Sequence, residues 1–472
     1  MVEKTKLEKS LSPINVWSLA LGSIIGWGAF VMPGNLFLQT AGPLGTAIGM
    51  IIGAFIMIII ALSYGYMVQK FPVAGGEFAF SFKGFGRNNA FICAWFLGLS
   101  YLAIVPLNAT ALGLIGRYMF PGLLQRGYLY TIAGWEVYLG EVIFTSLALF
   151  IFAYTSIKGI KLSGWLQTFM AFALVGSILI LIVVGLLHPE TNLSNLKPLF
   201  APEVSPINGI LSIVAIAPWA YVGFDAIPQA AEEFNFSSKK ARGIMIISII
   251  FGALMYIAMN TVTAIVHPWH DFISSKPFWA TGTAVEQLMG NTGLIILGIA
   301  LIAAIVAGII GFYMAASRLL FSMARAKALP SWFGFIHPKY RTPSNAIKFV
   351  LAISLITPWF GRQVLLWVVD MASIGAAIGY FYTTASAFKF LRKEKGHKGL
   401  KVFSCIGAIL SLGFVILLIV PGMPAYLSFP SRIALIIWIA LGAIFYMSVA
   451  RTYVKLSSKE LGNLIINGQE QL

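Results

Sequence analysis

The sequence predicts an all-α integral membrane protein with 12 transmembrane helices. Three observations carry the prediction. The composition is too apolar for water, the apolar stretches are long enough to cross a bilayer, and the basic residues collect on alternate connections. Of 472 residues, 59% are hydrophobic and 10% charged, whereas a soluble domain carries roughly 25% charged residues. Lipid, not water, must cover most of such a surface. The polar stretch Met1–Pro13 and the long, Gly-rich run after it do not read as a cleavable signal.

A spanning helix needs about 20 mostly apolar residues. Twelve segments meet this, beginning near Ile14, Pro43, Asn89, Val137, Leu162, Asn208, Gly243, Thr292, Ala346, Val364, Val402 and Ser431. Those from Asn89 and Thr292 are long enough to extend past the bilayer or tilt. With the N-terminus placed in the cytoplasm, 26 of the 32 Lys and Arg fall on the inner side. Six fall outside: Arg117, Arg126, Lys197, Lys276, Arg362 and Arg432. A wrong helix count would scramble that asymmetry. The net charge of +16 is therefore topology and not a nucleic-acid footprint. Both termini are expected in the cytoplasm, and the plasma membrane is the expected location.

Two helices are expected to be broken. Backbone freed at membrane depth survives only where it lines a cavity or is buried in protein. The first span carries Gly22-Ser23-Ile24-Ile25-Gly26-Trp27-Gly28, then Pro33. Each glycine weakens a helix by about 1 kcal/mol relative to Ala. The sixth span carries a Gly and a carboxylate between two prolines, from Pro218 through Gly223 and Asp225 to Pro228. One Gly-rich segment alone would read as close helix packing. Breaks at matching positions of two five-helix halves point to a transporter's binding site. An unwound helix offers amides at one half-helix start and carbonyls at the other's end. The amides suit a carboxylate and the carbonyls an ammonium.

At these residues the chain resembles the amino acid–polyamine–organocation transporter superfamily. Gly22 to Phe30 is similar to its first-helix signature, and Pro72-Val73-Ala74-Gly75-Gly76-Glu77-Phe78 to the segment before helix 3. Gly223-Phe224-Asp225 followed by Ala231-Glu232-Glu233 resembles the sixth-helix motif. Ser317-Arg318 through Arg325 to Leu329-Pro330, with Thr342-Pro343, resembles the loop after helix 8. The resemblance implies the leucine-transporter fold, with discontinuous helices 1 and 6. It divides the chain into a tail 1–13, inverted repeats 14–188 and 206–393, a peripheral helix pair 402–454 and a tail 455–472. It implies alternating access around a midplane site and no enzymatic activity. The substrate residues it implies are Ile24, Ile25, Gly26, Trp27, Gly28, Asn108, Trp219, Val222, Gly223, Phe224 and Phe312. The cargo implied is an amino acid or a related amine. A polyamine or monoamine transporter and a non-transporting sensor are the alternatives.

Trp27 departs from the signature, which usually has Ser there. Its ring is expected to shrink the pocket, to hold an ammonium by cation–π attraction, or to pack away from the site. Sodium-coupled members of the fold use helix-8 hydroxyls beside the first break, but residues 293–316 contain no Ser or Thr. Some proton-coupled relatives place a Lys in helix 5, and residues 162–187 contain none. Sodium independence is expected, with exchange, facilitated diffusion or proton coupling through another group. Asp225 is read as an amine partner or proton carrier, or as a cap on the restarting helix. Glu141, Asp370 and Glu77 fall at helix ends, where solvated or gating roles are expected. No metal or cofactor site is expected. Cys93, Cys405, His188, His267 and His270 form no ligand cluster. A catalytic cluster of the kind a membrane enzyme needs is also missing.

Overall fold

The computed structural model describes residue 7 and residues 9–466, apart from 121, 133, 362 and 424. The outer parts of both tails, residues 1–6 and 467–472, and Arg362 lie outside the described residues.

The first half begins with α1 (Pro13–Ile24) and α2 (Gly28–Met32). A π-helical turn, Pro33–Phe37, leads into α3 (Leu38–Lys70). This last run is kinked at Gly42-Pro43, where Gly42 has φ +68°. Then come α4 (Gly76–Phe85), α5 (Arg87–Met119), α6 (Leu139–Lys158) and α7 (Ile160–Leu187). The second half has α8 (Pro206–Ala215), α9 (Ala217–Ala220), α10 (Ala226–Gln229) and α11 (Ala241–Ile265). It continues through α12 (Trp269–Ser274), α13 (Ala280–Arg325), α14 (Ser344–Ser354) and α15 (Gln363–Leu391). The chain closes with α16 (Lys398–Ile419), α17 (Phe429–Tyr453) and α18 (Ser458–Ile466).

The protein is an all-α membrane protein with one addition the sequence reading lacks. Strands β1 (Tyr128–Ile132) and β2 (Trp135–Tyr138) form an antiparallel hairpin between α5 and α6. Their aromatic and β-branched residues favour extended pairing. Among the described residues, eight helical stretches are long and apolar enough to cross a membrane. One of them, Pro13–Lys70, holds two of the expected spans, and Pro206–Ala215 and Ser344–Phe360 are shorter apolar helices. The two long expected spans are long: α5 has 33 residues and α13 has 46, the latter interrupted at Gly290 with φ +57°.

The burial pattern is inverted relative to a soluble protein. On α6, Ile143, Leu147, Phe150, Ile151 and Tyr154 are exposed, and their three- and four-residue spacing puts them on one helix face. Trp165, Phe169 and Phe172 do the same on α7. In water such stripes would drive aggregation; in lipid they are the ordinary outer face. Helices α5 and α13 are the most enclosed spans, and α16 and α17 the most exposed. The broken segments therefore sit in the centre, between α5, α11 and α13.

Candidate functional site

The first break is short. Helix α1 ends at Ile24, Ile25 leaves helical geometry at φ −86°, ψ 74°, and α2 restarts at Gly28. The N–H groups of Gly26, Trp27 and Gly28 have no acceptor within the chain among the described residues. The Gly26 and Trp27 carbonyls are used by the restarting helix, through Ala29, Phe30 and Val31. The Ile24 carbonyl accepts from the Tyr256 hydroxyl at 3.2 Å. The break therefore presents three free amides, while the Gly22, Ser23 and Ile25 carbonyls at the end of α1 also accept no hydrogen bond among the described residues. Gly26 is half-buried where its neighbours are buried.

The second break runs from Tyr221 to Asp225. Gly223 N–H donates to Asp225 Oδ1 at 2.7 Å, and the Gly223 and Phe224 carbonyls accept from Ala226 and Ile227. The carbonyls of Tyr221 and Val222 accept no hydrogen bond among the described residues. Gly223 adopts φ +131°, and a Cβ there would lie 2.6 Å from Ser23 Cβ and 2.9 Å from Ile24 N. Only glycine allows this backbone to press against the end of α1.

Several of the expected site residues meet here. The rings of Trp27 and Trp219 lie 6.2 Å apart, inclined at 56°. A Cβ on Gly28 would fall 2.6 Å from the Trp219 ring, so the small residue seats that ring. Trp27 is buried and its indole faces Trp219, and among the described residues no cation lies over its ring. Asn108 Oδ1 lies 3.6 Å from the Cβ position of Gly26 and has no partner, while its Nδ2 donates to Ile104 O at 2.9 Å. Ile25 and Val222 are buried beside these groups.

Three expected residues point elsewhere. The Ile24 side chain packs onto Gly252 of α11. Phe224 turns toward Tyr64 and Tyr380, at 5.3 and 5.5 Å between centroids. Phe312 packs on Tyr101 at 5.9 Å. Asp225 differs from the capping expectation in its partner. It accepts nothing from α10; its carboxylate takes the upstream Gly223 amide and the Tyr101 hydroxyl at 3.0 Å. Gly223's positive φ turns that amide back toward the side chain.

Sequence reasoning missed Tyr256, Tyr101 and Gln167. Tyr101 precedes Asn108 by two helical turns and so shares its face, a signal that was available. Gln167 Nε2 donates to Ala307 O at 3.0 Å and lies 3.1 Å from a Cβ position on Gly22. A neutral amide thus bridges α7 and α13 beside the first break.

Beyond the second break the chain is fastened by two ion pairs. Arg318 Nε donates to Glu233 Oε1 at 2.8 Å with both side chains buried, and Arg325 pairs with Glu232 at 3.0 Å. Glu232 also accepts from the amides of Leu7 and Ala74. The Glu233 carbonyl accepts from Ser10 and Leu11. Of the helix-end acids, Glu141 forms a bidentate pair with Arg117, and Asp370 accepts from Ser428 N–H and Ser431 Oγ. Glu77 is fully buried, which corrects the solvated reading. Among the described residues, no group of three or more His, Cys, Asp or Glu could hold a metal.

A family profile described as amino acid permease matches residues 11–445. The chain belongs to the amino acid permease family. The permease is 25% identical to the branched-chain amino acid permease of Bacillus subtilis, over 96% of this chain and 95% of that one. It is 26% identical to the methylthioribose transporter of the same organism, over 95% and 94%. It is 25% identical to human cationic amino acid transporter 4, over 81% of this chain and 60% of that protein. These relatives place the permease among multi-pass membrane transporters and not among enzymes.

Proposed function

We propose that the permease is a secondary transporter for neutral amino acids, carrying the zwitterion between its two helix breaks by alternating access. The observation that carries this reading is the pairing of unpartnered donors and acceptors. Three free amides at Gly26–Gly28 suit a carboxylate. The free carbonyls of Tyr221 and Val222, with Asn108 Oδ1, suit an ammonium. A polyamine would leave the amides unused.

Neutrality of the cargo follows from what surrounds the breaks. Both Asp225 oxygens are committed to Gly223 and Tyr101. Arg318 and Glu233 satisfy each other. A charged cargo side chain would meet indoles and buried aliphatic groups without a counter-ion, at a cost of several kcal/mol. Trp27 and Trp219 would bound the pocket and restrict it to compact side chains. Among the relatives, the branched-chain permease is named for cargo of this kind, while the cationic and methylthioribose transporters are not.

The same reading takes the helices as 12 spans. These comprise inverted repeats over 14–188 and 206–393, a peripheral pair over 402–454, and both termini in the cytoplasm of a plasma-membrane protein. It takes transport as sodium-independent, since Gln167 and the Ala307 carbonyl occupy the place beside the first break and α13 supplies no hydroxyl there. Uptake into proteoliposomes tests it: leucine, valine or isoleucine should enter, with sodium or choline outside. Uptake of lysine or methylthioribose in their place would refute neutral amino acid specificity. Ligand-induced stabilisation without flux would identify a sensor.

A further inference from the structure

Glu77 is a buried titratable group outside the site. It lies on α4, in the connection between two membrane-spanning stretches, with no exposed surface. Gly75, with φ +77°, turns the chain into α4. The next residue, Gly76, abuts Pro228 of α10, where a Cβ would lie 2.5 Å from the proline Cβ. Helix α4 is thereby seated on the second half of the broken sixth helix, and Gln229 of that half donates from Nε2 to Glu77 Oε2.

Most of the groups around Glu77 are committed elsewhere. From α5, Tyr101 donates to Asp225 and the Cys93 thiol donates to the Glu77 main-chain carbonyl. From α3 and α15 come the buried hydroxyls of Tyr64, which has no hydrogen-bond partner among the described residues, and of Tyr380, which donates to Pro218 O. From α13, Arg318 and Arg325 are held by Glu233 and Glu232. On α4 itself, Lys83 lies toward Gly462 of α18; on α15, Lys389 donates to Gly84 O. On α18, Glu460 caps Ser457. Among the described residues no basic side chain bonds to Glu77 or to Asp225.

Even with the free Tyr64 hydroxyl spent on one acceptor, the cluster is one proton short. Asp225 has donors on both oxygens and is complete as a carboxylate. Glu77 Oε1 and Gln229 Oε1 are both buried acceptors without a donor. An amide's two ends are assigned from its hydrogen bonds. A neutral Glu77 would donate its O–H to the Gln229 oxygen and accept from the Gln229 amide, a closed two-way pair. Two buried carboxylates with no cation cannot both ionise at neutral pH. Burial, and next the charge of Asp225, push the Glu77 carboxyl well above the usual carboxylate range.

We propose that Glu77 is a proton-carrying site that couples proton movement to the motion of the second half of helix 6. Protonated, Glu77 locks α4 to α10 through Gln229. When Glu77 gives its proton to water reached from the α4 side, the buried carboxylate loses the two-way pair and drives α10 away. Reprotonation from water reached on the opposite face of the membrane restores the lock, so one proton crosses the membrane per cycle. The coupling role rests on the transport reading above.

Two experiments test it on the full-length permease. Wild-type protein at neutral pH should react with a hydrophobic carbodiimide at Glu77, because that reagent attacks protonated buried carboxylic acids. An adduct confined to other acids overturns the proposal without any variant. In proteoliposomes, an inward proton gradient should make wild type accumulate leucine severalfold, while Glu77→Gln, which keeps amide pairing, should exchange leucine but accumulate none. Equal accumulation by both overturns the proposal. So does wild-type exchange that ignores the gradient. Absence of any leucine exchange by wild type removes the transport reading itself, and the coupling role with it.

Discussion

The role of Asp225 can be separated by two substitutions. Its carboxylate holds the Gly223 amide at 2.7 Å and the Tyr101 hydroxyl at 3.0 Å. Both are charge-assisted bonds. Hydrogen bonds to charged groups contribute about 1.5–3 kcal/mol and neutral ones about 0.5–1.5 kcal/mol. Asp225→Asn therefore weakens each by about 1 kcal/mol. Relief of the buried charge offsets part of this, leaving a net loss of about 1–2 kcal/mol. Tyr101 keeps its second bond, to the Asp225 main-chain oxygen at 3.1 Å. Asp225→Ala removes both side-chain acceptors and orphans the buried Gly223 N–H, a loss of about 3 kcal/mol or more. Thermal melts of purified protein and leucine-binding titrations read the two effects separately. The expected order of melting temperature is wild type, then Asn, then Ala, with the Asn variant binding leucine within about threefold of wild type, or 0.7 kcal/mol. An Asn variant that melts like wild type but loses leucine affinity more than tenfold would refute the reasoning. It would make Asp225 an ammonium partner.

Gly223→Ala should abolish transport and lower stability by about 2–5 kcal/mol, since it combines a strained φ with a clash against α1; expression and melting temperature check it. Removing one partner of the buried Arg318–Glu233 pair, as in Glu233→Gln, should destabilise by about 3–5 kcal/mol, whereas replacing both by apolar residues should cost less; a double-mutant cycle on melting measures the difference. The raised Glu77 carboxyl makes the folded state bind one proton more than the unfolded state above about pH 4.3. Stability should therefore fall as pH rises from there, and Glu77→Gln should remove that slope in melts across pH. Trp27→Ser should open the pocket and admit bulkier neutral amino acids in competition uptake; an unchanged substrate range would refute the pocket-bounding role of Trp27.

Much of this was legible because helix breaks are local. Three glycines in seven residues, and a Gly between two prolines, declare unwinding wherever the rest of the chain lies. What was not legible depends on packing between distant segments. Trp27 meets Trp219 only because Gly28 and Gly223 let the two breaks close on each other. The Asp225 position was found, but its partner was not, since the Gly223 φ that reverses the amide cannot be read from residue type. Glu77 follows two glycines at a helix start, which looks like a solvated end until Pro228 and Gln229 are laid over it. The hairpin Tyr128–Tyr138 escaped because aromatic-rich residues beside a span read as its interfacial margin.

The most direct test of the account is a binding comparison of leucine, leucine methyl ester and the corresponding decarboxylated amine on the purified permease. If the Gly26–Gly28 amides take a carboxylate and the Tyr221 and Val222 carbonyls an ammonium, leucine should raise the melting temperature. The ester and the amine should leave it unchanged at the same concentration. An amine that stabilises the protein as well as leucine would contradict the two-ended site.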